Sequence, residues 1–114
     1  MANLAAQLNN TPRAFQPAVA GGASLSYSGT TASVALAGGG DQALVTNYGT
    51  VAAFVNFGDN TVTATTSDLC ILPGTSVLLT IPSTTEAGPT KSTYIAAISG
   101  GTAGTIQVHT GWGI

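Results

Sequence analysis

Charge is almost missing from this chain: 5% of its 114 residues are Asp, Glu, Lys or Arg, against roughly 25% in ordinary soluble domains. The set is Arg13, Lys91, Asp41, Asp59, Asp68 and Glu86. Binding to nucleic acid draws on several Lys or Arg contacts to phosphate, so two cations exclude nucleic acid as an expected partner. An anionic membrane surface is excluded on the same ground. The start MANLAAQLNN has neither a basic stretch nor the apolar run of about 7–15 residues of a secretory leader. No apolar run approaches the roughly 18 residues of a membrane-spanning helix. These absences predict a protein that is made in a cytoplasm and stays soluble.

Cysteine and histidine occur once each. Cys70 therefore has no internal disulfide partner, and its place between Leu69 and Ile71 predicts a buried thiol that packs as a small hydrophobe. A nucleophilic cysteine needs a base and an orienting third group, and zinc needs several thiolates or imidazoles. One Cys70 and one His109 supply neither. Asp59, Asn60 and Asp68 offer oxygens of the kind calcium takes, but their spacing matches no calcium loop. Four acids with no aromatic platform beside them disfavour a paired-carboxylate glycosidase. Gly38-Gly39-Gly40 and Gly100-Gly101 lack the Lys-Ser/Thr of a phosphate loop and read as tight turns. No serine sits in a Gly-x-Ser-x-Gly elbow, and the sequon at Asn9-Asn10-Thr11 has no secretory context to give it meaning. The expectation is a protein that is not an enzyme, with no catalytic residue, no cofactor and no metal.

What is present is short strand-sized runs divided by Gly, Pro, Asn and Asp. The stretch from Gln42 to Asn60, QALVTNYGTVAAFVNFGDN, predicts a β-hairpin turning at Tyr48-Gly49-Thr50. In its second run Val51, Ala53, Val55 and Phe57 share one face, and Ala52, Phe54 and Asn56 the other. A strand apolar on both faces belongs inside a sandwich, or in a sheet whose outer side is covered by the chain's arm or another subunit. Before it, Leu25 with Tyr27 and Val34 with Leu36 mark two strands turning at Gly29-Thr30. After it come a threonine-rich strand with Val62 and Ala64 inward, the run LCIL, and a turn at Pro73-Gly74. Then follow Val77, Leu79 and Ile81, an exposed loop from Pro82 to Ser92, and a two-sided apolar run with Tyr94, Ala96 and Ile98 opposite Ile95 and Ala97. The last strand aligns Ile106, Val108 and Trp112 against Gln107 and His109. About eight strands at this spacing predict an all-β fold, an antiparallel β-sandwich of jelly-roll type, over residues 23–114.

Residues 1–22 lack the alternation and carry Pro12 and Pro17. They read as an extended N-terminal arm, with Leu4, Leu8, Phe15 and Val19 as spaced apolar anchors for attachment to a partner. Further interface candidates are Phe54, Phe57, Tyr94 and Trp112.

The segments VTNYGTVAAFVNFGD, VTAT, Leu72-Pro73-Gly74, TYIAAISGGTAGTIQV and the closing TGWGI carry a resemblance. On these residues, roughly the last two thirds of the chain, the sequence resembles small all-β structural proteins of tailed bacteriophages. The resemblance implies a virion component: a capsid decoration (cement) protein on the outer surface of the head, with the major capsid protein as partner. A head-fibre, tail or head–tail accessory role comes next. It also implies self-association as a homotrimer at threefold sites. A competing class is a virion-borne carbohydrate-binding or adhesin module, which would use Trp112, Tyr48 and Tyr27 as exposed platforms.

Overall fold

Alternation along Gln42–Asn47 turns Ala43, Val45 and Asn47 inward, and the same period in Ala53–Gly58 turns in Ala53, Val55 and Phe57. The two runs face one core from opposite sides. The computed structural model describes residues 14–82 and 92–113, and they form eight strands: β1 (Gln16–Tyr27), β2 (Ala32–Ala35), β3 (Gln42–Asn47), β4 (Ala53–Gly58), β5 (Leu69–Ile71), β6 (Ser76–Thr80), β7 (Tyr94–Ile98) and β8 (Gly104–Trp112). All pairings are antiparallel. One sheet has the order β1-β8-β3-β6 and the other β2-β7-β4-β5. The fold is thus an all-β sandwich with the strand order of a jelly roll, closed around Leu25, Tyr27, Val45, Val55, Ile71, Ile95, Ile106 and Val108.

The jelly-roll order corrects the hairpin expected between Gln42 and Asn60. β3 pairs with β6 and β8, whereas β4 pairs with β5 and β7, so residues 48–52 cross from one sheet to the other. Gly29-Thr30 likewise leads from one sheet into the other. Period-two alternation reports which way side chains point, and it is the same in a hairpin and in a crossover.

The crossover is held by Asn47, which is fully buried. Its Nδ2 donates to the carbonyls of Val51 and Ile71, both at 2.9 Å. Its Oδ1 accepts from the Gly49 amide and from the Tyr27 hydroxyl, again at 2.9 Å. All four valences of the amide are used, as burial demands. The Tyr27 ring occupies space that a Cβ on Gly49 or Gly104 would invade, so small residues at both positions admit the clamp.

Two further expectations change. The threonine-rich stretch 61–65 is no strand. It crosses the outer face of the second sheet: Asn56 Nδ2 on β4 donates to Thr63 O, and the Ala64 amide donates to Thr31 Oγ1 just before β2. Between those anchors lies β7, whose outward Ala96 has no exposure. The apolar outer side of β7 is therefore covered in part by the chain's own loop. Secondly, β1 begins at Gln16, so residues 16–22 of the expected arm belong to the sandwich. Gln16 pairs with Trp112 and Pro17 with Gly111 at the edge of the sheet, where a proline's missing N–H costs no ladder bond. Between Pro17 and Gly22 the register shifts, and residues 18–21 stand opposite the single residue Thr110. The bulge breaks the period of two, so residues 16–22 carry no strand alternation in the sequence.

Candidate functional surface

The outward side chains of β3 and β8, Leu44, Thr46, Gln107 and His109, line a groove on the outer face of the first sheet. Phe15 and Pro17 bound it on one side and Tyr48 on the other, and its volume is about 450 Å³. Phe15 reaches it because Gly111 has no side chain: the ring lies where a Cβ would stand. Gly22 leaves similar room for the side chains of Gln107 and His109. The imidazole Nε2 of His109 lies 3.0 Å from the Ala18 carbonyl, which ties the bulge to the groove. On the inner side of the same bulge, Thr110 Oγ1 donates to the Ala37 carbonyl. Ala20 takes a left-handed φ of 56° and Val19 projects into solvent, 95% exposed. Bulges of this kind re-aim side chains at sheet rims.

None of the eight strands contains Asp, Glu, Lys or Arg. The charges among the described residues, Asp41, Asp59 and Asp68, sit in loops. Asp59 accepts from both the hydroxyl and the amide of Thr61, at 2.6 and 2.9 Å. Those bonds, the hydroxyl's first, hold its carboxyl below the usual 3.8. Asp68 accepts from the Thr65 amide at 2.7 Å. Asp59 and Asp68 thus each close their own loop.

No protein-family model and no curated protein matches the chain. Solved structures similar to it include PirA, at 8% identity and a TM-score of 0.49, covering 78% of this chain and 92% of that one. Another is an uncharacterised conserved protein with a double-stranded β-helix domain from Klebsiella pneumoniae, at 14% identity and a TM-score of 0.37, covering 90% and 74%. Function does not follow from either.

The interface candidates separate by location. Leu4 and Leu8 lie outside the described residues, as does most of the loop expected between Pro82 and Ser92. Phe15 and Val19 flank the groove and the bulge. Phe54 and Tyr94 point outward from the second sheet and are half-buried. Phe57 shares the inward parity of Val55 and, half-buried, packs against the core. Trp112 is 48% exposed at the end of β8, beside Gly39. Cys70 is a correction. It is exposed on the three-residue edge strand β5, where Ile71 takes the inward position.

Tyr27, named as a sugar platform, is buried with its hydroxyl on Asn47. The two aromatics that are exposed lie at opposite ends of β8: the Tyr48 amide donates to Thr105, while Trp112 ends the strand. Seven residues of strand separate them by about 23 Å. They cannot stack on one sugar. The feature that sequence reading missed is the groove itself, since it gathers Phe15, Leu44, Tyr48 and His109 from distant parts of the chain.

Proposed function

We propose that this protein is a structural component of a virion, a decoration protein that adheres to the outer surface of a phage head and stabilises the shell. The observation that carries this reading is the combination of strands without charge and outer faces that present Leu44, Tyr48, Leu78 and Phe15. Such a face binds by shape and by removal of apolar area from water, at about 25 cal/mol per Å². Repeated over many identical sites, modest contacts of that kind add stability to the lattice. The jelly roll does not choose this role, because the architecture also carries lectin and cupin domains. The partner in this proposal is the major capsid protein, the reading needs no catalytic group or cofactor, and copies associate with one another. Homotrimers at threefold sites are the form that the phage resemblance suggests.

The experiment is to mix purified protein with undecorated heads and locate it by cryo-electron microscopy. Extra density at a repeated site on the outer shell, lost in Tyr48→Asp, is the expected result. Density on a fibre or tail, or glycan binding in place of capsid binding, overturns the proposal.

A further inference from the structure

Four strands lie at sheet edges: β1 and β6 in one sheet, β2 and β5 in the other. Edge strands expose unpaired main-chain groups and are ordinarily blunted by charge, proline, a bulge or shortness. β1 carries Pro17 and the bulge at 18–21. β2 has four residues and β5 three. The remaining edge, β6, has none of these protections beyond its five-residue length. Its sequence is Ser76-Val77-Leu78-Leu79-Thr80, without charge, proline or register shift.

The direction of its free groups follows from the ladder. The Ile81 amide donates to Asp41 O and the Asn47 amide to Thr75 O, in the same register as the β3–β6 pairs. Odd-numbered residues of β6 therefore bond to β3, and Ser76, Leu78 and Thr80 aim their amides and carbonyls away from the sheet. All three residues are exposed, Leu78 by 45%.

We propose that β6 pairs antiparallel with β6 of a second copy of this chain, about a twofold axis at Leu78. The strand is self-complementary in that register. Leu78 meets the second copy's Leu78, Ser76 meets its Thr80, and Val77 lies against its Leu79 on the core side. Each of the three outward-aimed positions then forms a hydrogen-bonded pair that exchanges two N–H···O bonds, about six in all. The side chains continue rows that already exist. Leu44 and Leu78 are cross-strand neighbours on the outer face, so the pairing makes an unbroken apolar row across both copies. Thr46 Oγ1 and Ser76 Oγ lie 2.7 Å apart, and Thr80 of the second copy extends that hydroxyl row. The product is one eight-stranded sheet with both grooves on the same side, which lets two grooves engage one lattice together. An isologous edge makes pairs. A threefold assembly has to use a different surface. The inference stands on the edge geometry and does not depend on any virion partner.

Sedimentation and residue-resolved amide exchange over a range of concentrations test it. The expected result is a species of twice 11.2 kDa. In it, the amides of Ser76, Leu78 and Thr80 become protected only at concentrations where the dimer forms, while those of Val77 and Leu79 are protected throughout. Leu78→Lys sets two like charges across the axis and is expected to weaken pairing by at least about tenfold, with an unchanged melting curve. A chain still monomeric near ~1 mM, a dimer without the alternating protection, or a dimer indifferent to Leu78→Lys overturns the proposal.

Discussion

Asn47 makes four side-chain hydrogen bonds from a fully buried position. Its amide joins Tyr27 of β1, the crossover at Gly49 and Val51, and Ile71 of β5, so one side chain ties both sheets together. Asn47→Leu removes the partner of the buried Ile71 carbonyl and of the Gly49 amide and leaves the Val51 carbonyl only the Tyr27 hydroxyl at 3.1 Å, and each unsatisfied group costs about 1–3 kcal/mol. The expected loss in chemical denaturation is about 3 kcal/mol or more, against about 1 kcal/mol for Tyr27→Phe, which removes only the hydroxyl. The double variant is expected to lose less than the sum, because the two residues share one network. Asp59 makes a smaller, pH-dependent contribution. Its folded carboxyl titrates below its unfolded value of 3.8. Its stabilisation is therefore present above that value and is lost as pH falls through the folded one. Thr61→Val removes the strongest of the bonds responsible, and an NMR titration is expected to show the Asp59 carboxyl returning toward its ordinary range.

Among the elements, β1 shows how an edge strand can look like a tail. Its first part pairs only through Gln16 and Pro17, then leaves the ladder for four residues and rejoins it at Gly22. Deleting residues 1–22 is expected to lower the melting temperature clearly, since it removes those pairs and the bulge carbonyl that meets His109. Attachment through the arm is tested instead by a deletion that stops at residue 13, before Phe15 enters the groove. Within the bulge, Ala20 occupies a backbone region that costs an L-residue about 1–2 kcal/mol. Glycine relieves that strain but loses about 0.5–1 kcal/mol more conformational entropy on folding. Ala20→Gly is thus expected to stabilise slightly, by about 0.5 kcal/mol, as a small upward shift in thermal unfolding.

At the scale of the whole molecule, scarcity of charge governs how it meets other surfaces. With two cations in the chain there is little for salt to screen, although screening at ordinary ionic strength acts within about 8–10 Å. Binding to undecorated heads is expected to change less than about threefold between low and moderate sodium chloride, and sulfate is expected to strengthen it. A steep decline with sodium chloride, read by co-sedimentation, would point to an ionic contact and contradict an apolar groove.

Sequence by itself determined the properties that depend on local order. Alternation showed which residues of most strands point the same way, as with Val77, Leu79 and Ile81 or Ile106 and Val108. Pro73-Gly74 marked a real turn, with Gly74 at a φ of 73°. Composition determined the uncharged surface. Tertiary structure decided everything that depends on which strand lies beside which. It made Gln42–Asn60 a crossover and left Cys70 exposed on an edge strand. It drew Gln16–Gly22 into a sheet, laid residues 61–65 over β7, and left β6 as the unblunted edge. The reason is that side-chain direction has a period of two residues and is written in the chain. Strand partnership, by contrast, is chosen by contacts such as Asn47 with Tyr27 and Ile71, which lie 20 and 24 residues apart along the chain.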